Sequence, residues 1–106
     1  MSDGDGSASK AAALAALAAL RGEIERVDAA ILDLLAERVK LGEQIGEAKR
    51  QASLPVLDPQ REAAVIRATA EGAKARGLPV DAVREIWWRV VALARSVQTA
   101  EGGKGG

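Results

Sequence analysis

The stretch from Ala11 to Arg50, AAALAALAALRGEIERVDAAILDLLAERVKLGEQIGEAKR, decides the fold. Leu14, Leu17, Leu20, Ile24, Val27, Ile31, Leu34, Leu35, Leu41 and Ile45 recur at steps of three and four, the period of one helical face. Charged residues fill the other faces. The helix is expected to stop near Gln51, because Ser53, Leu54 and Pro55 follow and Pro55 pushes its predecessor out of the helical region. A helix over residues 11–50 spans about 60 Å at 1.5 Å per residue. A globule of this chain length has a radius of gyration of only about 13 Å. The helix therefore overshoots any monomeric core, and its apolar stripe calls for a partner, most simply a second copy in a two-fold homodimer.

Two shorter helices follow. Asp58-Pro59 reads as an N-cap with Pro at the first helical position, opening a helix through Ala63, Ile66 and Ala70 that ends at Gly77. Leu78-Pro79 is the next joint. A third helix is expected from Val80 to Ala100, with Ile86, Val90, Leu93 and Val97 on one stripe and Trp87, Val91, Ala94 and Gln98 beside it. Residues 1–10 (MSDGDGSASK) and 102–106 (GGKGG) have almost nothing to bury and read as disordered tails around a domain over residues 11–101.

Composition supports an all-α chain and excludes much chemistry. Among 106 residues, 48% are apolar, yet Phe and Tyr are absent and the only aromatics are Trp87 and Trp88, so a core must be built from Leu, Ile, Val and Ala. The two tryptophans read as core and dimer-contact residues. With no His and no Cys, a Cys nucleophile, a His base, a disulfide and a zinc site of Cys or His are impossible. Fifteen basic residues balance fifteen acidic ones, which argues against nucleic-acid binding through bulk positive charge. Any anion has to be met by a few local Arg or Lys. The Ala/Leu run is a poor signal peptide, since Asp3 and Asp5 precede it, and no stretch reaches the roughly 20 strongly apolar residues of a membrane span. A cytoplasmic location is expected.

Certain polar residues interrupt the apolar seams. Arg38 and Lys49 lie eleven positions apart, about three turns plus 20°, and share a face. Arg21 lies about 100° away from Arg38 around the helix, so a ligand serving all three would take Arg21 from the other subunit. A solvated helix face also accounts for Arg38 and Lys49. Asp58 and Glu62 suit a cap and a first helical turn, and Arg61 a surface charge. Gln98 on an inner stripe is harder to dismiss, since an unpartnered buried amide costs about 1 to 3 kcal/mol. Gly42 and Gly46 sit inside the long helix at about 1 kcal/mol each relative to Ala, either for a close helix approach or to leave room for a ligand.

Taken in order, these residues match a pattern. The run Leu20-Arg21-x-x-Ile24-x-x-Val27-Asp28-x-x-Ile31-x-x-Leu34-Leu35-Ala36-Glu37-Arg38, then Ile45-Gly46-x-x-Lys49, then Pro55-Val56-x-Asp58-x-x-Arg61-Glu62, resembles the all-helical class of chorismate mutases over about residues 14–100. The resemblance implies an intertwined homodimer of three-helix chains that rearranges chorismate to prephenate, toward phenylalanine and tyrosine, without cofactor or metal. By the same resemblance, Arg21 of the neighbouring subunit and Arg38 clamp the two carboxylates of the substrate. Lys49 and Gln98 donate to the ether oxygen, and Glu62, with Asp58 and Arg61 nearby, meets the ring hydroxyl. One position departs: the family often has a small hydroxyl residue one turn before the Gln, and here Ala94 stands there.

The chemistry suits this residue set. A pericyclic rearrangement needs no nucleophile and no proton transfer. It needs a substrate held in a compact chair, a task for Arg forks, and fixed donors where negative charge grows as the carbon–oxygen bond breaks. Two rivals remain. An isochorismate pyruvate lyase or aminodeoxychorismate mutase of the same fold uses the same kind of clamps. A non-catalytic helical dimerisation module explains the long helix but gives no reason for Arg38, Lys49 and Gln98 on inward seams. Whether a partner enzyme acts with the chain is left open.

Overall fold

The structure, a computed structural model, describes the backbone of residues 2–105 and the side chains of residues 6–98. It contains three helices in chain order: α1 (Ser2–Gln51), α2 (Pro59–Ala75) and α3 (Val80–Gly105). Among the described residues there is no strand, as expected of an all-α chain. The chain divides into two compact units, Met1–Ala36 and Glu37–Gly106.

In the first unit the helix begins at Ser2 rather than Ala11. The tail expected over residues 1–10 is therefore helical from Ser2 onward. Extending an existing helix needs only propagation, one hydrogen bond per residue fixed, whereas nucleation is the costly step. Packing contributes nothing to this stretch: the described side chains from Gly6 to Leu34 are all exposed, including Leu14, Leu17, Leu20, Ile24, Val27 and Ile31. An i,i+3 ion pair, Arg26 to Glu23 at 2.9 Å, decorates the surface.

In the second unit local chemistry sets each helix end. After Gln51 the chain turns through Ser53, whose φ of 59° is left-handed. Leu54 N–H donates to Lys49 O at 2.8 Å and Ser53 N–H to Arg50 O at 3.1 Å, the paired bonds of a Schellman stop. The end of α2 repeats this arrangement with a glycine: Gly77 has φ 69°, Leu78 N–H donates to Ala73 O at 2.9 Å and Gly77 N–H to Lys74 O at 3.2 Å. At its start, Asp58 Oδ1 accepts from Arg61 N–H at 3.1 Å and Pro59 occupies the first turn, as the sequence predicts. The third helix starts at Val80 but runs on to Gly105, so residues 102–105, expected as a tail, continue the helix.

The core of this unit lies between α2 and α3, where Ile66 and Ala73 of α2 and Val91 of α3 are buried. On α3 the stripe through Trp87, Val91, Ala94 and Gln98 is turned inward, while Ile86 and Leu93 of the neighbouring stripe remain 56% and 43% exposed. Trp87 is half-buried and Trp88 is 47% exposed, so neither is a closed core residue within one chain.

Candidate active site

A pocket of about 490 Å³ gathers residues from the three helices of the second unit and from the α1–α2 connection. From α1 it takes Arg38, Leu41, Gly42, Ile45 and Lys49, whose spacing of three and four puts them on one face. The α1–α2 connection adds Val56 and Asp58, the first turns of α2 add Arg61, Glu62 and Val65, and α3 adds Val91, Ala94, Arg95 and Gln98. Seven of the eight residues singled out from the sequence thus line one cavity: Arg38, Lys49, Asp58, Arg61, Glu62, Ala94 and Gln98. Arg21 belongs to the first unit, is exposed, and does not line it.

Each polar group has a local reason for its place. Lys49 stands in the last turn of α1, where cations suit the helix dipole, and its Nζ donates to Val56 O at 2.8 Å. That bond ties the connecting loop to the helix and leaves two ammonium N–H donors. Asp58 is at once pocket wall and N-cap. Gly42 and Gly46 are buried beneath α3. A Cβ on Gly42 would meet Gln98 Nε2 at 3.6 Å and Ala94 Cβ at 3.9 Å, and one on Gly46 would meet Gln98 Cγ at 3.4 Å. These are ordinary van der Waals distances, so a methyl group would fit at either glycine against the Gln98 side chain, and Gly42 also lines the pocket.

One charged lining residue, Arg95, is not anticipated from the sequence. Arg95 donates from Nε to Glu62 Oε2 at 3.1 Å and from Nη2 to Glu62 Oε1. The hydrogen bonds to Glu62, and secondly its negative charge, raise the Arg95 guanidinium above its ordinary pKa, so it is cationic at any working pH. Its partner lies 33 positions away, beyond the reach of local periodicity. The one available signal was its position on α3 one turn before Gln98.

Electrostatically, the wall presents Arg38, Lys49, Arg61 and Arg95 against Asp58 and Glu62, four cations to two carboxylates. The excess of two positive charges matches a dianion. Between the charges, Leu41, Ile45, Val56, Val65 and Val91 offer apolar surface for a carbon skeleton. Among the described residues no group of three His, Cys, Asp or Glu is placed to hold a metal ion, and no helix is long and apolar enough to cross a membrane.

Residues 20–99 match the family model described as chorismate mutase type II. The chain belongs to this family. Its all-helical plan fits the family, and the match falls within the span over which the sequence resembles it. Among curated relatives, it is 40% identical over 92 residues to a T-protein of Enterobacter agglomerans, an alignment covering 87% of this chain and 24% of that protein. A chorismate mutase of Methanocaldococcus jannaschii is 44% identical over 46 residues, covering 43% of this chain and 46% of that one. A bifunctional chorismate mutase/prephenate dehydratase of Aquifex aeolicus is 56% identical over 43 residues, 41% of this chain and 12% of that protein. The chain thus spans about a quarter of the length of the first relative and less than half of the second.

Proposed function

We propose that this chain is a chorismate mutase, catalysing the Claisen rearrangement of chorismate to prephenate as a homodimer. The observation that carries the reading is the convergence of Arg38, Lys49, Glu62 and Gln98, distant in sequence, on one pocket with two excess positive charges. Chorismate is a dicarboxylate with an ether bridge and a ring hydroxyl, and each feature has a suitable group. Arg38 clamps one carboxylate and the partner subunit's Arg21 the other. Two such forks hold the substrate in the chair that brings the reacting carbons together, replacing a search over many conformers by a single bound geometry.

As the carbon–oxygen bond breaks, the ether oxygen gains negative charge. Lys49 Nζ and the Gln98 amide supply donors there, and because that charge is largest at the transition state they lower the barrier more than they tighten ground-state binding. Glu62 accepts from the ring hydroxyl, with Asp58 and Arg61 completing that end. Nothing in this scheme transfers a proton or forms a covalent enzyme intermediate, so a chain without His or Cys is fully equipped for it.

The exposed row Leu14, Leu17, Leu20, Ile24, Val27 and Ile31 supports the dimer, since so long an apolar stripe calls for cover. Purified protein incubated separately with chorismate and isochorismate tests the reaction, with prephenate from chorismate as the expected product. Pyruvate release from isochorismate alone would assign the lyase instead. Mixing Arg21→Ala and Lys49→Ala chains tests the shared site: heterodimers then rebuild one intact site each, restoring about a quarter of wild-type activity at equal mixing. No recovery would refute donation across subunits.

A further inference from the structure

The Arg95–Glu62 pair has a geometry that a surface ion pair does not need. Arg95 engages both carboxylate oxygens of Glu62 through two different nitrogens, Nε and Nη2, the fork-on-fork arrangement that fixes the plane of a carboxylate as well as its position. The Glu62 side chain is 18% exposed and that of Arg95 48%, so the carboxylate is the inner member and the guanidinium the outer one. Both line the pocket. Glu62 stands in the first turn of α2 and Arg95 on α3, so the fork also couples the orientation of Glu62 to a second helix. A glutamate held only by its own backbone would distribute over several staggered rotamers.

We propose that Arg95 is a positioning residue that holds the Glu62 carboxylate in the orientation in which it accepts the hydroxyl of the bound substrate. The inference rests on the reading above that Glu62 meets that hydroxyl. Each carboxylate oxygen offers two acceptor directions, and Arg95 occupies one on each, leaving one on each for a ligand. The hydroxyl takes no part in bond making or breaking, so its hydrogen bond to Glu62 is of similar strength in ground state and transition state. Losing such a contact raises KM and leaves kcat nearly unchanged, the reverse of losing a donor at the ether oxygen.

The test uses the full chain with chorismate as substrate, measuring kcat and KM for wild type, R95Q, R95K, E62Q and the double variant R95Q/E62Q. R95Q is expected to raise KM roughly 10-fold with kcat within about twofold. R95K, which keeps the charge but loses the fork, is expected to recover only part of that. In the E62Q background, adding R95Q is expected to change KM by less than about twofold, because the group it acts through is already gone. Wild-type KM in E62Q would overturn both the role of Glu62 and this inference. A raised KM in E62Q beside an unchanged KM in R95Q would overturn the inference alone. So would independent losses in the double variant, which assign Arg95 a direct contact with substrate. If R95Q does not fold, R95K carries the test, and a wild-type KM for it refutes the need for a fork.

Discussion

Replacing Lys49 with alanine removes a full positive charge and three N–H donors from the pocket wall, with two separable consequences. One donor is engaged by Val56 O at 2.8 Å and the other two are available to a ligand. A fixed donor aimed at an oxygen that becomes charged in the transition state contributes about 2.7 to 4 kcal/mol, so turnover is expected to fall about 100- to 1,000-fold. The second consequence is structural. Val56 is half-buried, so water can replace much of the lost bond to its carbonyl, and the cost falls to that of an ordinary hydrogen bond, about 1 kcal/mol. For a domain of this size that lowers Tm by roughly 4 to 8 °C. Chorismate consumption at saturating substrate reads the first effect and thermal unfolding followed by circular dichroism reads the second. Lys49→Met, which retains most of the stem, keeps the packing and is expected to lose turnover equally. Should either variant fold and keep turnover within about threefold of wild type, the ammonium ties down the loop and does no chemistry, and the proposed mechanism fails.

Gln98 donates from a neutral amide, so wild-type turnover is expected to stay level from neutral to mildly alkaline pH. Gln98→Glu can donate only while its carboxyl is protonated, and a rate profile is expected to show activity at acid pH that disappears as pH rises through that ionisation. Ser53 holds a left-handed φ of 59° at the end of α1, where glycine carries no steric penalty. Ser53→Gly is expected to stabilise the fold by about 0.5 to 1 kcal/mol in urea unfolding, the gain reduced by glycine's greater freedom when unfolded. Asp58→Ala deletes the cap bond to Arg61 N–H and is expected to cost about 1 kcal/mol, whereas Asp58→Asn retains an accepting oxygen and most of the stability. Equal losses in the two Asp58 variants, measured in the same urea titrations, would contradict the capping role.

Much of this molecule is legible in the order of its residues, because the relevant physics is local. A step of three and four in Leu and Ile writes α1, Asp58-Pro59 starts α2, and Gly77 ends it, each through backbone geometry acting over a few positions. The two glycines at 42 and 46 were visible as a cost, and seven pocket residues were recognisable from their types and spacings together with a family resemblance. The Gly-rich ends suggest tails by composition, whereas α1 starts at Ser2 and α3 runs to Gly105.

Tertiary structure decided the rest. By residue type the stripe of Ile86, Val90, Leu93 and Val97 is the more apolar of the two on α3, yet packing buries Val91 of the other and leaves Ile86 and Leu93 exposed. That Gly42 and Gly46 face Gln98, with Gly42 also in the pocket wall, is visible only once α3 lies beside α1. Arg95 finds Glu62 only once α2 and α3 are side by side. Hydrogen bonding and periodicity along one helix are properties of neighbours in the chain, whereas the partner of a long side chain is a property of the fold, set by which faces meet when apolar area is buried.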